Sequence, residues 1–172
     1  MNYATVIKDV TGAAALSLKS LLPRTFSLAP GSVRSDEAWR SQWQPISLRA
    51  PPNGGWNWPS YRLAKTRDPT RFCAAMWCGN EQELCGLTLM RLNKTACWID
   101  MFEGSPAPHH PIKGLVPLIA LELGTMYAQA AGRREVWICR PSNVLLLQYY
   151  LDIYGFKLAS PKKGETFCRR EI

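Results

Sequence analysis

Apolar residues recur along this chain with two spacings, and the change from one to the other predicts where strands give way to helices. Tyr3 to Lys8 (YATVIK) alternates and is rich in strand formers, which predicts a strand; Gly12 separates it from AAALSLKSLL, a segment that predicts a helix up to Pro23. Residues 27–35, rich in Ser, Pro and Gly, predict a loop, and Asp36 to Trp43 a short helix capped by Ser35 and interrupted by Pro45. Ala50 to Pro59 (APPNGGWNWP) predicts an ordered loop or turn. From Phe72 the pattern is of strands: Phe72 to Cys78, Leu84 to Leu92 and Ala96 to Phe102, joined by turns at 79–82 and 93–95, group as three sequential antiparallel strands. Lys113 to Ala131 then carries Leu115, Leu118, Ile119, Met126, Tyr127 and Ala130 at helical spacing, and Gly132 is placed to end the helix. Its small stripe Ala120, Gly124 and Ala128 predicts close approach to a sheet. Glu135 to Arg140 predicts a strand, Pro141-Ser142-Asn143 a helix start, Val144 to Tyr154 a helix ended by Gly155. Phe156 to Ala159 and Glu165 to Arg170 predict two last strands around a Pro-Lys-Lys-Gly turn.

Composition adds a class to this pattern. With 172 residues, 47% apolar and 20% charged, the chain reads as one soluble domain over residues 1–172, long enough to bury a core without staples. No apolar stretch approaches the roughly 18 residues of a membrane span, and Met1 to Pro30 lacks a signal-peptide layout, so the expected address is cytoplasmic. The six cysteines sit in apolar runs without CxxC spacing, and only His109 and His110 stand by to complete a metal set; buried free thiols are expected, and no metal.

Charge changes the picture once it is divided. The net charge of +8 is carried by the ends: residues 1–70 hold nine Lys/Arg against four Asp/Glu and residues 133–172 eight against four, whereas residues 71–132 hold four against five. Both ends then contribute to a positive surface that steers an anionic partner, the plain alternative being solubility.

The predicted order, with a tight loop before the long central helix and an Asn-helix-Gly-Phe unit near the C-terminus, resembles the GNAT N-acetyltransferase superfamily. The resemblance implies an α+β fold, a mixed and mostly antiparallel central sheet flanked by helices. It also implies acetyl-coenzyme A, whose pyrophosphate would lie on backbone amides at the start of the central helix. In that loop, Pro111-Ile112-Lys113-Gly114-Leu115-Val116, Gly114 fits the family pattern. Proline stands where Arg or Gln is usual and Val116 where a small residue is usual, and Pro117 removes one more N–H. Lys113 and His110 are the candidates to replace the missing donor, which makes His110, Ile112, Lys113, Gly114, Leu115 and Val116 the expected cofactor loop. Asn143, Tyr149-Tyr150 and Gly155-Phe156 resemble the second family unit, spaced one residue longer than usual. By that resemblance Asn143 and Tyr150 also face the cofactor, with Tyr150 as general acid toward the leaving thiolate; the alternative is a tyrosine packed in the core or at its rim.

An attacking amine must be neutral, which calls for a base. Asp100 and Glu103 lie at the end of the strand before the loop, and Glu103, followed by Gly104, is preferred; the alternative is a solvated carboxylate. Strand alternation points it with Ile99 and Met101 unless a bulge intervenes. His109-His110 is a second base candidate or an ordinary loop pair. Trp56 and Trp58, beside Gly54-Gly55, are read as an acceptor-stacking platform or as plugs of the core. No G-x-S-x-G elbow supports hydrolysis. The expected function is therefore acetyl transfer from acetyl-coenzyme A to a primary amine of an anionic or bulky acceptor. The alternative is an inactive protein of the same shape whose basic ends bind nucleic acid or another acidic partner. Edge strands at the C-terminus leave a homodimer open.

Overall fold

The computed structural model describes residues 1–64, 68–139, 141, 143–160 and 165–172. Arg140, Ser142 and the expected Pro-Lys-Lys-Gly turn lie outside the described residues. The chain opens on one helix, α1 (Tyr3–Ser17), where a strand followed by a helix was expected. Asn2 caps it, its side-chain oxygen accepting from the N–H groups of Ala4 and Thr5 at 3.2 and 3.4 Å. The buried positions are Ile7, Val10, Thr11 and Ala14, spaced by three, four and seven from the first. That helical face outweighs the strand preference of the Tyr, Thr, Val and Ile that alternate from residue 3.

The first strand, β1 (Ser27–Pro30), lies where a loop was expected and pairs antiparallel with β2 (Phe72–Cys78), Leu28 opposite Met76. It is an edge strand closed by proline, which an edge tolerates. α2 (Val33–Ala38) starts earlier than predicted: Ser35, the expected cap, instead accepts from the Ser32 N–H at 2.9 Å, and the helix runs on as a π-helical turn, Trp39–Trp43. α3 (Trp58–Leu63) follows the 50–57 loop and is capped by the Asn57 side chain. The remaining elements match the predicted types: β3 (Glu83–Leu92), β4 (Ala96–Gly104), α4 (Val116–Ala130), β5 (Glu135–Cys139), α5 (Val144–Asp152), β6 (Lys157–Ala159) and β7 (Phe167–Glu171).

Among the described residues these strands make one seven-stranded sheet in the order β1-β2-β3-β4-β5-β7-β6, and β4–β5 is its parallel pair. This is the mixed, mostly antiparallel sheet that was expected. α1, α4 and α5 cover one face over a core that includes Ile7, Phe72, Ile99, Tyr127 and Tyr150; α2, the π turn and α3 cover the other over Trp43, Trp58, Trp77 and Leu87. Gly124 lets α4 close on β4, because a Cβ there would stand 2.8 Å from Cδ1 of Ile99.

Strand β4 is irregular in two ways. It bulges: Met90 pairs with Ile99 and Leu89 with Met101, which leaves Asp100 as an extra residue. The bulge does intervene, so Ile99 and Phe102 pack toward α4 and α5, while Met101 and Glu103 turn to the tryptophan side. The strand then leaves its neighbour. Pairing of β4 with β5 stops at Ile99 opposite Ile138, and β4 continues to Gly104 with its β5 side open.

Candidate active site

The opening between β4 and β5 is a cleft with two connected parts, about 500 Å³ beside the start of α4 and about 270 Å³ between the strand ends and α5. Pro52, Trp56, Phe102, Pro141 and Leu146 line both parts. The larger part brings together Glu103, His110, Gly114, Val116 and Asn143, five residues singled out from sequence.

The loop before α4 is wound by two turns, Lys113 N–H to His110 O at 3.1 Å and Leu115 N–H to Ile112 O at 3.0 Å. Gly114 sits at φ +83°, a backbone conformation that glycine adopts without strain. Among the described residues no acceptor meets the N–H groups of Gly114, Val116 and Leu118. Those amides and the positive end of the helix form a site for an anion, and a coenzyme A pyrophosphate fits it even though Pro117 supplies no donor. The loop's side chains divide differently from expectation. Ile112 is buried in the core and Leu115 packs against it, and the Leu115 N–H is already bonded to the Ile112 carbonyl, so neither turns its side chain to the cleft. Lys113 reaches back to the Pro108 carbonyl at 2.8 Å and does not line the cleft, which removes it as the replacement donor in this arrangement.

His110 does line the cleft, 7% exposed, and its Nδ1 is buried without a hydrogen-bond partner among the described residues. The ring packs over Gly104, where a Cβ would stand at ordinary contact distance, 3.5 Å, from Nε2. Burial, and then the positive charges of Lys113 and Arg49, push its pKa below the ordinary histidine value. His109 is exposed.

Glu103 is 4% exposed and already occupied: Oε1 accepts from the Gly55 N–H at 2.8 Å, Oε2 from the Trp58 indole N–H at 2.7 Å, and Arg49 stands 3.7 Å away. Arg49 also donates to the Gly104 carbonyl at 2.7 Å. Glycine permits this approach: a Cβ at Gly54 would fall 2.7 Å from Glu103 Oε1, while at Gly55 it would fall 2.2 Å from the Arg49 carbonyl oxygen within the loop itself. Glu103 is therefore the tie that draws the 49–58 loop onto the sheet. Trp58, 1% exposed, belongs to the core and lines neither part of the cleft, so the expected two-ring platform is one ring. Trp56 is that ring, half-buried and edge-on to Trp58 at 6.2 Å.

On the far wall Asn143 caps α5, its side-chain oxygen accepting from Leu145 and Leu146 at 2.9 and 3.2 Å, which leaves its NH₂ to offer to the cleft. This start turns Tyr150 inward, 2% exposed, edge-on to Phe102 at 6.3 Å and lining the smaller part of the cleft. Burial raises its pKa, so the hydroxyl keeps its proton at neutral pH. Asp100 also lines the smaller part; burial raises its pKa even against Arg91 at 3.0 Å and Arg71 at 3.9 Å. Of the six free cysteines five are buried, as expected, and Cys139 at the end of β5 is exposed. Sequence reasoning missed Arg49 and Phe102. Strand alternation was the signal for Phe102; Arg49 had none.

Among the described residues no group of three His, Cys, Asp or Glu could hold a metal ion, and no helix is long and apolar enough to cross a membrane. No protein-family model matches the chain. No curated protein sequence matches it. Solved structures do resemble it. A GNAT-family acetyltransferase from Staphylococcus aureus Mu50 is 10% identical over 85% of this chain and 98% of its own, with a TM-score of 0.59. The PaiA N-acetyltransferase from Thermoplasma acidophilum, solved in complex with coenzyme A, is 10% identical over 86% of this chain and 99% of its own, with a TM-score of 0.56. The ribosomal-protein-S18-alanine N-acetyltransferase from Escherichia coli is 12% identical over 86% of this chain and 94% of its own, with a TM-score of 0.59. At these identities the likeness is one of fold, and the fold is that of the GNAT acetyltransferases.

Proposed function

We propose that this protein transfers the acetyl group of acetyl-coenzyme A to a primary amine. The observation that carries the reading is the set of three unbonded amides, Gly114, Val116 and Leu118, at the mouth of a cleft that opens between splayed β4 and β5. A neighbour of the same fold solved with coenzyme A supports it. The amides hold the pyrophosphate and the acetyl thioester lies along the open edge of β4. The acceptor amine enters past Trp56. Proton transfer falls to His110, which lines the cleft, because both Glu103 oxygens are engaged. The amine nitrogen bonds to the thioester carbonyl carbon as its proton passes to His110; the C–S bond then breaks and the thiolate takes the Tyr150 hydroxyl proton. Glu103 acts by placing Trp56 and the acceptor loop. The basic first and last segments favour an anionic acceptor, and the free thiols suit a reducing, cytoplasmic setting.

Calorimetric titration with acetyl-coenzyme A tests the reading. Binding is expected, and Gly114→Asp, which sets a carboxylate and a side chain at a φ of +83°, should weaken it at least tenfold. No heat at millimolar ligand would leave a GNAT-shaped binding protein, the reading that Pro111 and Pro117 favour.

A further inference from the structure

A second cavity lies away from the cleft, where α1 gives way to β1. The helix stops at Ser17, and the chain then makes tight turns: Lys19 N–H to Leu16 O at 3.2 Å, Leu21 N–H to Leu18 O at 2.9 Å and Phe26 N–H to Pro23 O at 2.9 Å. Between these turns and the end of the helix is a hollow of about 560 Å³, more enclosed than either part of the cleft. Its volume falls within the roughly 300–1,000 Å³ of small-molecule sites, which are mostly apolar with a few convergent polar groups. The wall here is of that kind: Leu16, Leu22, Pro23 and Phe26 are apolar, and Lys19 and Arg24 join them. Leu22 is buried and Phe26 packs against the core, so one side is fixed, whereas Leu16 stands 72% exposed at the opening.

The charged groups of the hollow are of one sign. No carboxyl lines it, and among the described residues neither Lys19 nor Arg24 has an ion pair. On the segments packed beside it, Glu122 of α4 accepts from the Ser17 hydroxyl at 2.6 Å and Glu81 of the β2–β3 turn is paired with Arg34. Asp9 stands two turns back on α1, about 10 Å along the helix. The end of α1 itself contributes about half a negative charge, which two full cations outweigh. An occupant that answers both features has a negative group at one end and an apolar body behind it. A second copy of this chain would set Lys19 and Arg24 against their own images, and a small inorganic anion would leave the apolar wall in water. We infer that this hollow binds a single-chain amphiphile with an anionic head, a medium-chain carboxylate, with its head on Lys19 and Arg24 and its chain along Leu16, Leu22, Pro23 and Phe26. The concave wall encloses one chain, which a flat membrane surface does not require. This binding stands apart from acetyl transfer and does not depend on it.

The test is equilibrium dialysis of the full chain against radiolabelled decanoate, held below its micelle concentration. Saturable binding is expected, and octanoate should bind about tenfold more weakly for the two methylenes it lacks. Lys19→Ala with Arg24→Ala, both at exposed positions, should weaken decanoate binding by about tenfold or more. Leu16→Glu, also exposed, should do the same by setting a carboxylate beside the head. Circular dichroism confirms that each variant is folded. The inference is overturned by no binding at 1 mM decanoate, by unchanged affinity in the folded double variant, or by decanol binding as tightly as decanoate. It is equally overturned if octanoate and decanoate bind alike, or if the protein sediments with phosphatidylglycerol vesicles while decanoate does not bind. Titration of the same protein with acetyl-coenzyme A reports separately on the transferase reading.

Discussion

Burial beside Lys113 and Arg49 keeps the His110 imidazole neutral at pH 7, the form in which it accepts a proton. Because its pKa lies below the ordinary value of about 6.5, turnover should hold steady through neutrality and fall only as pH drops through that lowered value. His110→Ala should reduce kcat by about 10²- to 10⁴-fold and remove this acid limb, and Lys113→Ala, by removing a nearby cation, should move the limb to higher pH. An acid limb unchanged in both variants would reassign the proton transfer. As base candidates the sequence offered His109 and His110 together. Only burial separates them, since one is exposed and the other lies against Gly104.

At the scale of elements, two glycines in helices have opposite meanings. Gly12 of α1 is exposed, and a Cβ there meets nothing within 4 Å. Gly12→Ala should therefore stabilise the fold by about 0.5–1 kcal/mol through helix propensity and a less flexible unfolded chain. Gly124 of α4 faces Ile99 so closely that Gly124→Val should cost about 1–3 kcal/mol by overpacking. Thermal or urea unfolding of both variants checks the pair. The small stripe on α4 was legible because the sheet partner of a long helix shows in its periodicity. α1 was misread because alternation of Tyr, Thr and Ile over six residues also satisfies a strand, and its decisive burial at Ile7, Val10 and Ala14 comes from packing against α4 and β1.

Across the whole molecule Glu103 joins segments 48 and 45 residues away in sequence, tying β4 to the 49–58 loop and to the tryptophan core at once. Glu103→Gln keeps the shape but offers one acceptor oxygen to two donors, so it should destabilise the fold by about 1–3 kcal/mol. Loosening that loop should raise KM for the acceptor amine more than it changes acetyl-coenzyme A affinity. Urea unfolding and steady-state kinetics measure both effects; equal changes in the two affinities would count against the tie.

By itself the sequence determined β2 to β5, α4 and α5, the cap at Asn143, the uneven distribution of charge and the resemblance from which the fold was expected. These rest on short-range information, in which residues two to four apart report which face is buried and capping residues mark helix ends. Only the tertiary structure decided that α1 is a single helix and that an extra residue at Asp100 turns Glu103 toward the tryptophans. It also decided that Trp58 is core while Trp56 lines the cleft. Each of these depends on what segments distant in sequence bring to a residue: its burial, its partners and the donors that reach it. Local spacing carries no record of those.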